Sequence, residues 1–474
     1  MPTDVVVVLD CGATNVRAIA VDTAGKVVAK SSTPNSTQST FEDPSWHIWS
    51  LDEILGKFAQ CCTGIARDLA ASQHRIIGLT VTTFGVDGAL VDAEGNLLYP
   101  IISWKCPRTI GVMNEIRRYF DPTELQRITG VGHFSFNTIY KLIWLKENRP
   151  DLIEKASCWL FISSLINFRL TGVLSTDRTM AGTSQLFNLA KNRFSEEILT
   201  RIGIPASLFP PLVNPGEVIG SLQERAAQRL GLPAGLPVCS AGHDTQFAQF
   251  GSGAAMNQPV LSSGTWEILM ARTAQVDTRS LSNFRESTCE LDSAAGLYNP
   301  GLQWLASGVL EWVKDTCWKG VSSSEVYDQM IAEAESIPSG CDGVTMVPDM
   351  LMGPGGVGGG AFNGLSIASS RGHLYRAALE ALSLKLANQL HELERICGFK
   401  ADQLILVGGG SKNRLWNQIK ANALQIPVRV VVENEITVLG AALYVFSGLG
   451  RYKSADEARA AVRYRYQVFE PRRL

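Results

Sequence analysis

Near the middle of the chain, Pro237–Phe250 (PVCSAGHDTQFAQF) sets a histidine and an aspartate side by side at a break in pattern. Val238–Ala241 is a short apolar run, Gly242 interrupts it, and Phe247 and Phe250 then fall three apart, as on a helix. His243 and Asp244 therefore lie at a turn past the carboxyl end of a strand, where open α/β sheets leave their ligand crevice. A carboxylate there could work as a general base. It could also cap the following helix through free N–H groups of the first turn, and taken alone the segment favours the cap. Three further turns follow apolar runs and carry glycine: Gly12-Ala13-Thr14-Asn15, Gly264-Thr265 and Gly408-Gly409-Gly410. Glycine lets the backbone approach a phosphate closely, while hydroxyl and N–H groups donate to its oxygens. Singly each is an ordinary turn; together, with acids at Asp10 and Asp244, they suggest a nucleotide held between two lobes. Asp10 at a strand end suits a hydrated Mg²⁺, which takes carboxylate oxygen and keeps most of its waters. An acid that merely ends a strand in solvent fits the local sequence equally well.

The elements that must position these groups follow from periodicity. Val5–Asp10, Val16–Asp22 and Val27–Lys30 read as a meander of strands, not the strand–turn–helix of a dinucleotide fold. No G-x-x-x-x-G-K-[ST] occurs, which excludes a P-loop. Leu51–Ala71 is helical in spacing, and Ile76–Thr83 is a strand running into Phe84-Gly85-Val86-Asp87-Gly88. Ala89–Leu98 reads as a hairpin turning at Glu94-Gly95-Asn96, and Ile101–Trp104 as a strand. Phe136–Lys146 forms a helix starting after Asn137, Trp159–Leu170 a strongly apolar helix, and Tyr298–Trp312 and Arg371–Ile396 two more. Pro259–Met270 repeats the outline of the N-terminus, apolar run, Gly/Thr turn, apolar run, at a spacing of about 250 residues that suits two similar domains. Met352–Ala361 is a Gly-rich connection. Leu404–Val407 is a strand before the third glycine turn and a helix through Leu424, and Thr437–Leu443 opens the last substantial helix.

A chain of 474 residues is too long for one core. Its 45% apolar and 19% charged residues are those of an ordinary soluble protein, and a net charge of −2 gives no electrostatic reason to expect nucleic acid or an anionic membrane as partner. The longest apolar runs are strand-sized, so no transmembrane helix is expected, and the N-terminus shows no signal-peptide pattern. Ten cysteines, Cys61 and Cys62 adjacent among them, form no CxxC pair or zinc spacing and read as buried hydrophobes in a reducing compartment, the cytoplasm. His373 and His391 have no spacing partner and are expected at the surface. In the aromatic loop Phe41–Trp49, packing is the commoner fate for Trp46, His47 and Trp49, with a border to a sugar pocket the alternative.

LDCGATNVRAIAVD (Leu9–Asp22), TTFGVDGALVD (Thr82–Asp92), ISWKCPRT (Ile102–Thr109), FNTIYKLIWLKE (Phe136–Glu147), SAGHDTQFA (Ser240–Ala248), LSSGTWEI (Leu261–Ile268) and LVGGGSKN (Leu406–Asn413) resemble the FGGY carbohydrate kinases, members of the actin/hexokinase/Hsp70-like superfamily. The resemblance covers nearly the whole chain. It implies an α/β fold of two ribonuclease-H-like domains around a central cleft, 1–246 for the sugar and first phosphate turn and 247–474 for the nucleotide. It implies ATP and Mg²⁺ or another divalent cation as cofactors. It implies a ketose as acceptor: L-fuculose, giving the 1-phosphate, with L-rhamnulose or another ketose as the alternative. A non-catalytic nucleotide-dependent sugar sensor is the alternative of another class. By the same resemblance Asp10 lies near the metal, Gly12, Ala13, Thr14, Asn15 and Arg17 form the first phosphate turn with Arg17 near the γ-phosphate, and Gly264 and Thr265 form the second. Gly408, Gly409, Gly410 and Asn413 run along the adenosine, and Asn299 lines the nucleotide side, although Ser307 stands where that pattern has Gln. Gly85, Val86 and Asp87 form the sugar-side loop, and His243 and Asp244 the sugar-binding pair, with Asp244 the proton acceptor. Many family members carry Trp-x-Asp-x-Arg where this chain has Trp104-Lys105-Cys106-Pro107-Arg108, so one hydroxyl acceptor is missing here. A homo-oligomer is left open.

Overall fold

Val5, Val7, Leu9 and Cys11 alternate with Val6 and Val8 along one strand, and all six are fully buried, so both faces of that strand are covered. In the computed structural model, which describes residues 2–70, 72–284, 286–322, 325–351, 358–432 and 435–472, this is β1 (Thr3–Cys11). β1 pairs antiparallel with β2 (Asn15–Asp22), and β2 with β3 (Val27–Pro34). α1 (Leu51–Ala70) packs on β2 and β3 with Ile54, Phe58, Cys61, Cys62 and Ile65 turned inward. β4 (His74–Thr83) then lies parallel to β1, and β5 (Pro237–His243) parallel to β4, with Val218–Ser221 antiparallel at the edge. α2 (Asp244–Gly251) follows β5 without a break. The expected end of the first helix, Ala71, lies outside the described residues.

By proximity along and across the chain, residues 1–253, 278–299 and 435–463 form one compact unit, and 254–277, 300–434 and 464–474 a second. In the second, β6 (Pro259–Ser263) pairs antiparallel with β7 (Trp266–Ala271), and β7 with β8 (Tyr298–Leu305), whose residues from Pro300 onward belong to this unit. α3 (Ser307–Cys317) and the long α4 (Arg371–Cys397) come next. β9 (Leu404–Val407) lies parallel to β6; after α5 (Arg414–Leu424), β10 (Val428–Val431) lies parallel to β9, and β11 (Tyr466–Phe469) antiparallel to β10. The spatial strand order of the first unit is thus repeated: a three-strand meander, two parallel additions and an antiparallel edge, the edge strand preceding its partner in the chain in the first unit and following it in the second. The final major helix, α6 (Ile436–Gly448), returns to the first unit and packs on β1, β4 and β5, its Val445 against Gly78 on the Val6 face.

Several elements differ from expectation. Trp159–Phe161 is not helical: Cys158–Phe161 is a strand paired with Gly88–Val91, and the helix begins at Ile162. Tyr298–Leu305 is likewise a strand, with the helix starting at Ser307. Trp159–Phe161 lies in an unbroken buried apolar run, for which periodicity does not separate strand from helix, whereas Tyr298–Leu305 (YNPGLQWL) carries Pro300 and Gly301, which break a helical reading. Val91 does bridge Leu97 around the Glu94–Asn96 turn, but the ladder of Gly88–Val91 is with Cys158–Phe161. Only Ile101–Ile102 of the expected Ile101–Trp104 strand is one. Of the Gly-rich connection, residues 352–357 lie outside the described residues. His373 is buried: it completes the capping box of α4 with Ser370, with Nε2 3.2 Å from Asp342 Oδ2.

Candidate active site

β5 ends at His243, and Asp244 is the first residue of α2. A capping carboxylate precedes the helix and accepts N–H groups two or three residues on. Asp244 does otherwise. Its Oδ1 accepts from its neighbour Thr245, from N at 2.7 Å and Oγ1 at 3.3 Å, with His243 Nε2 at 3.5 Å from the same oxygen. Oδ2 accepts no hydrogen bond from the described residues, and 30% of the side chain is exposed. The geometry therefore leaves one carboxylate oxygen open, and the cap reading lapses. Burial raises the Asp244 pKa above the usual carboxylate value, against the pull of His243.

The loop after β4 closes over His243. A Cβ at Gly85 would lie 2.8 Å from His243 Nε2, so only glycine lets the chain pass the imidazole at this distance. Val86 sits at φ 65°, a left-handed conformation that costs a β-branched residue, and its carbonyl is held by Thr138 Oγ1 at 2.8 Å and Lys141 Nζ at 3.0 Å. Asp87 is fully buried with both oxygens occupied: Oδ1 by Lys141 Nζ at 2.5 Å, Oδ2 by Trp49 Nε1 at 2.7 Å and the Trp104 N–H at 3.0 Å. Of the expected sugar-side loop, Gly85 thus lies against His243, while Asp87 anchors Trp49 and the Trp104 turn. Trp49 is buried against Phe84, and Trp46 covers the Arg108 guanidinium at 4.1 Å, so both tryptophans of this aromatic loop pack inward while Phe41 is exposed. Arg108 donates to Cys106 Sγ at 3.0 Å and Tyr99 Oη at 3.0 Å, with Cys106 where the family pattern has a carboxylate.

At the end of β1, Gly12 N–H donates to the Asn15 carbonyl, and Asn35 Nδ2 to the Gly12 carbonyl, both at 2.9 Å, which leaves Thr14 and Asn15 exposed at the tip beside a half-buried Ala13. Arg17 is bound on both sides: Nε donates to Asp10 Oδ2 at 2.8 Å and Nη1 to Glu435 Oε2 at 2.6 Å. Its expected place at a γ-phosphate meets a guanidinium already shared by two acids. Burial raises the Asp10 pKa to about 6, opposed by Arg17 and reinforced by the charge of Asp244. Asp10 Oδ1 accepts no hydrogen bond from the described residues, and among them no cluster of three or more His, Cys, Asp or Glu forms a metal cage. One hard oxygen without a cage fits a cation that keeps its own waters.

In the second unit the other two glycine turns meet at a cavity of about 510 Å³, lined among others by Gly264, Thr265, Tyr375, Gly409, Gly410 and Asn413. The Gly264 and Thr265 carbonyls accept the Ser307 and Gly308 N–H groups at the start of α3. Gly408 takes φ 90°, where a Cβ would press on the Ser263 carbonyl; it shapes the turn without lining the cavity. Asn413 caps α5 by accepting the Trp416 N–H at 3.1 Å and donates to Tyr375 Oη at 3.0 Å. Beneath both turns, Lys420 and Glu267 pair at 2.6 Å, each with a fully buried side chain. Asn299 is not part of this group: it is buried in the first unit and donates to Gln246 Oε1.

Glu290, Glu435, Lys141, Glu267 and Lys420 all hold candidate site residues in place and carry no local sequence signal. Glu290 sits in CELDSAAG and Lys420 in a helix of ordinary composition, so only tertiary pairing reveals them.

Two copies of one meander-plus-parallel sheet, each with a glycine turn after its first strand, define the actin/hexokinase-like ATPase class of fold. Within it, residues 5–251 match the FGGY family of carbohydrate kinases, N-terminal domain, and residues 260–448 the C-terminal domain. The chain belongs to the FGGY family of carbohydrate kinases, and it is a carbohydrate kinase with ATP as the family's phosphoryl donor. It is 58% identical over 471 residues to an L-fuculokinase of Escherichia coli K12, covering 99% of this chain and 98% of that one. An L-fuculokinase of Haemophilus influenzae is 44% identical over 97% of both chains. Among solved structures, a xylulose kinase from Rhodospirillum rubrum superposes with a TM-score of 0.88 at 26% identity, over 99% of this chain and 94% of that one. No described helix is long and apolar enough to cross a membrane.

Proposed function

We propose that the protein phosphorylates L-fuculose to L-fuculose 1-phosphate with ATP, and that Asp244 is its general base. The sugar assignment rests on near full-length identity to relatives named L-fuculokinase. The observation that carries the mechanism is the open Oδ2 of Asp244 beside the Gly85 loop. The sugar O1 hydroxyl attacks the γ-phosphorus, the bond from that phosphorus to the β,γ-bridging oxygen breaks, ADP leaves with the electron pair, and the hydroxyl proton passes to Asp244 Oδ2. The transition state is loose and charge-rich, so positioning and charge stabilisation do most of the work and proton acceptance comes late.

His243 and the loop Gly85-Val86-Asp87 bind the sugar side in this proposal, with Asp87 acting through Trp49 and Trp104. Gly12, Ala13, Thr14 and Asn15 form the phosphate turn of the first unit in this proposal. In the second unit Gly264 and Thr265 form a phosphate turn and Gly409, Gly410 and Asn413 border the adenosine, with Gly408 shaping their turn. Asn299 acts from the Gln246 side, and Arg17 holds Asp10 in place. In chain order, 1–246 carries the sugar side and 247–474 the nucleotide side, apart from segments 278–299 and 435–463, which pack in the first unit. Asp10 would hold Mg²⁺ through the ion's water shell; when bound, the cation neutralises phosphate charge. Ten free cysteines fit a reducing compartment, which we take to be the cytoplasm.

An ADP-release assay across L-fuculose, L-rhamnulose, D-ribulose and D-xylulose tests the assignment: kcat/KM is expected to be greatest for L-fuculose, and a preference for another ketose overturns it. Asp244→Asn is expected to lose about 10²–10⁴-fold in kcat while still binding ATP. Near-normal turnover in that variant would remove Asp244 from the role of base.

A further inference from the structure

Behind His243 stands an acid that the mechanism does not use. Glu290 lies on the strand Ser287–Leu291, is 8% exposed, and is placed with its Oε2 3.0 Å from His243 Nδ1. The imidazole N–H points off the line of an ideal hydrogen bond, so the contact is electrostatic before it is directional. Two donors fix this carboxylate: Thr183 Oγ1 reaches Oε1 at 3.1 Å and Gln246 Nε2 reaches Oε2 at 2.6 Å, with Gln246 itself held by Asn299. On its other edge the same imidazole presents Nε2 to Asp244 Oδ1 at 3.5 Å, and the Gly85 backbone stops it from swinging away. A ring with carboxylates at both nitrogens, buried and sterically confined, is arranged as an imidazolium.

We infer that Glu290 is a positioning residue for the phosphoryl transfer: it fixes the orientation and the positive charge of His243, which in turn sets the charge of Asp244. The inference rests on Asp244 being the base. Burial alone would strip the proton from His243, yet the charges of Glu290 and Asp244 lift its pKa above the ordinary 6.5. The other charged groups around it are already committed. Asp87, from the Gly85 loop, pairs with Lys141, and Asp177, behind β5, accepts from Ser163, Ser164 and Ser240. Beyond Asp244, Asp10 and Glu435 share Arg17. Among the described residues no other cation pairs directly with Asp244 or Glu290, and Arg17 acts on Asp244 only through space, so His243 is the cation in contact with both.

Ring-labelled histidine NMR across pH, with His243 assigned by comparison with His243→Gln, reads this without turnover. In the unmodified protein the His243 ring is expected to titrate above 6.5. In Glu290→Gln the ring should lose its proton at lower pH, which takes the cation from beside Asp244 at the upper end of the range. The kcat plateau therefore narrows from its alkaline side, and kcat falls on the order of 10²-fold with KM for ATP unchanged. Glu290→Asp should recover part of the plateau. A His243 ring that titrates at or below 6.5 in the unmodified protein overturns the inference, even should Glu290→Gln fail to fold. So does a folded Glu290→Gln protein with His243 titration and pH profile unmoved, whatever its kcat. Loss of the base itself is read separately, by Asp244→Asn.

Discussion

Asp244 offers a single oxygen to an incoming hydroxyl because Thr245 occupies the other, and burial decides when that oxygen can accept. An acid with a raised pKa keeps its proton to higher pH, and a protonated Asp244 accepts nothing. The acid limb of kcat/KM for the sugar should therefore lie above the ordinary carboxylate value of 3.8, and a pH–rate series would place it. A limb at or below that value would contradict the burial argument. Gly85→Ala tests the neighbouring contact. Its Cβ would stand 2.8 Å from His243 Nε2, so imidazole or loop must shift, and we expect kcat/KM for the sugar to fall about 10²-fold while KM for ATP holds. At this scale His243, Asp244 and the glycine turns were legible, because a strand-end turn with acid and glycine is a local pattern. Glu290 and Glu435 were not, since a lone acid in a polar stretch gains meaning only from the imidazole or guanidinium it meets.

Elements hold these residues through buried pairs that link two segments at a time. Lys420 of α5 and Glu267 of β7 are fully buried, and Ser263 of β6 donates to Glu267 at 2.9 Å, so one ion pair ties together the strands that carry two glycine turns. Removing one partner leaves a buried charge uncompensated. Lys420→Met should cost about 3–5 kcal/mol, and Lys420→Met with Glu267→Leu should recover most of it. Urea midpoints at unchanged slope would measure both. A single variant as stable as the parent would mean that water reaches Glu267. Element types were readable wherever the period was clear: Arg371–Ile396 is helical over nearly the expected span, and Asn137 does precede a helix. Trp159–Phe161 reads as helix because a strand buried on both faces is apolar at every position, like a buried helix. In Tyr298–Leu305 the apolar spacing of Leu302, Leu305 and Val309 continues into the true helix, and the break at Pro300-Gly301 is the signal for strand.

At the scale of the molecule, the repeat between the two units was visible only as an outline in Pro259–Met270; the shared strand order emerges from pairing partners far apart in sequence. The chain also comes back to its first unit near its end, which no local pattern announces. That return is made by α6 crossing α2, and it works through two glycines: a Cβ at Gly440 would strike the Phe247 carbonyl, and one at Gly251 the Ile436 carbonyl. The backbones touch where side chains would normally separate them, directly behind the helix that begins with Asp244. Gly440→Ala should therefore force the two helices apart and cost about 1–3 kcal/mol, as overpacking does. The damage should be local. Amide exchange should quicken in α2, α6 and β5 while α4 and α5 of the second unit keep their protection, because local opening follows packing. Exchange that quickens equally in both units would show that the α2–α6 crossing stabilises the whole chain and not the first unit alone.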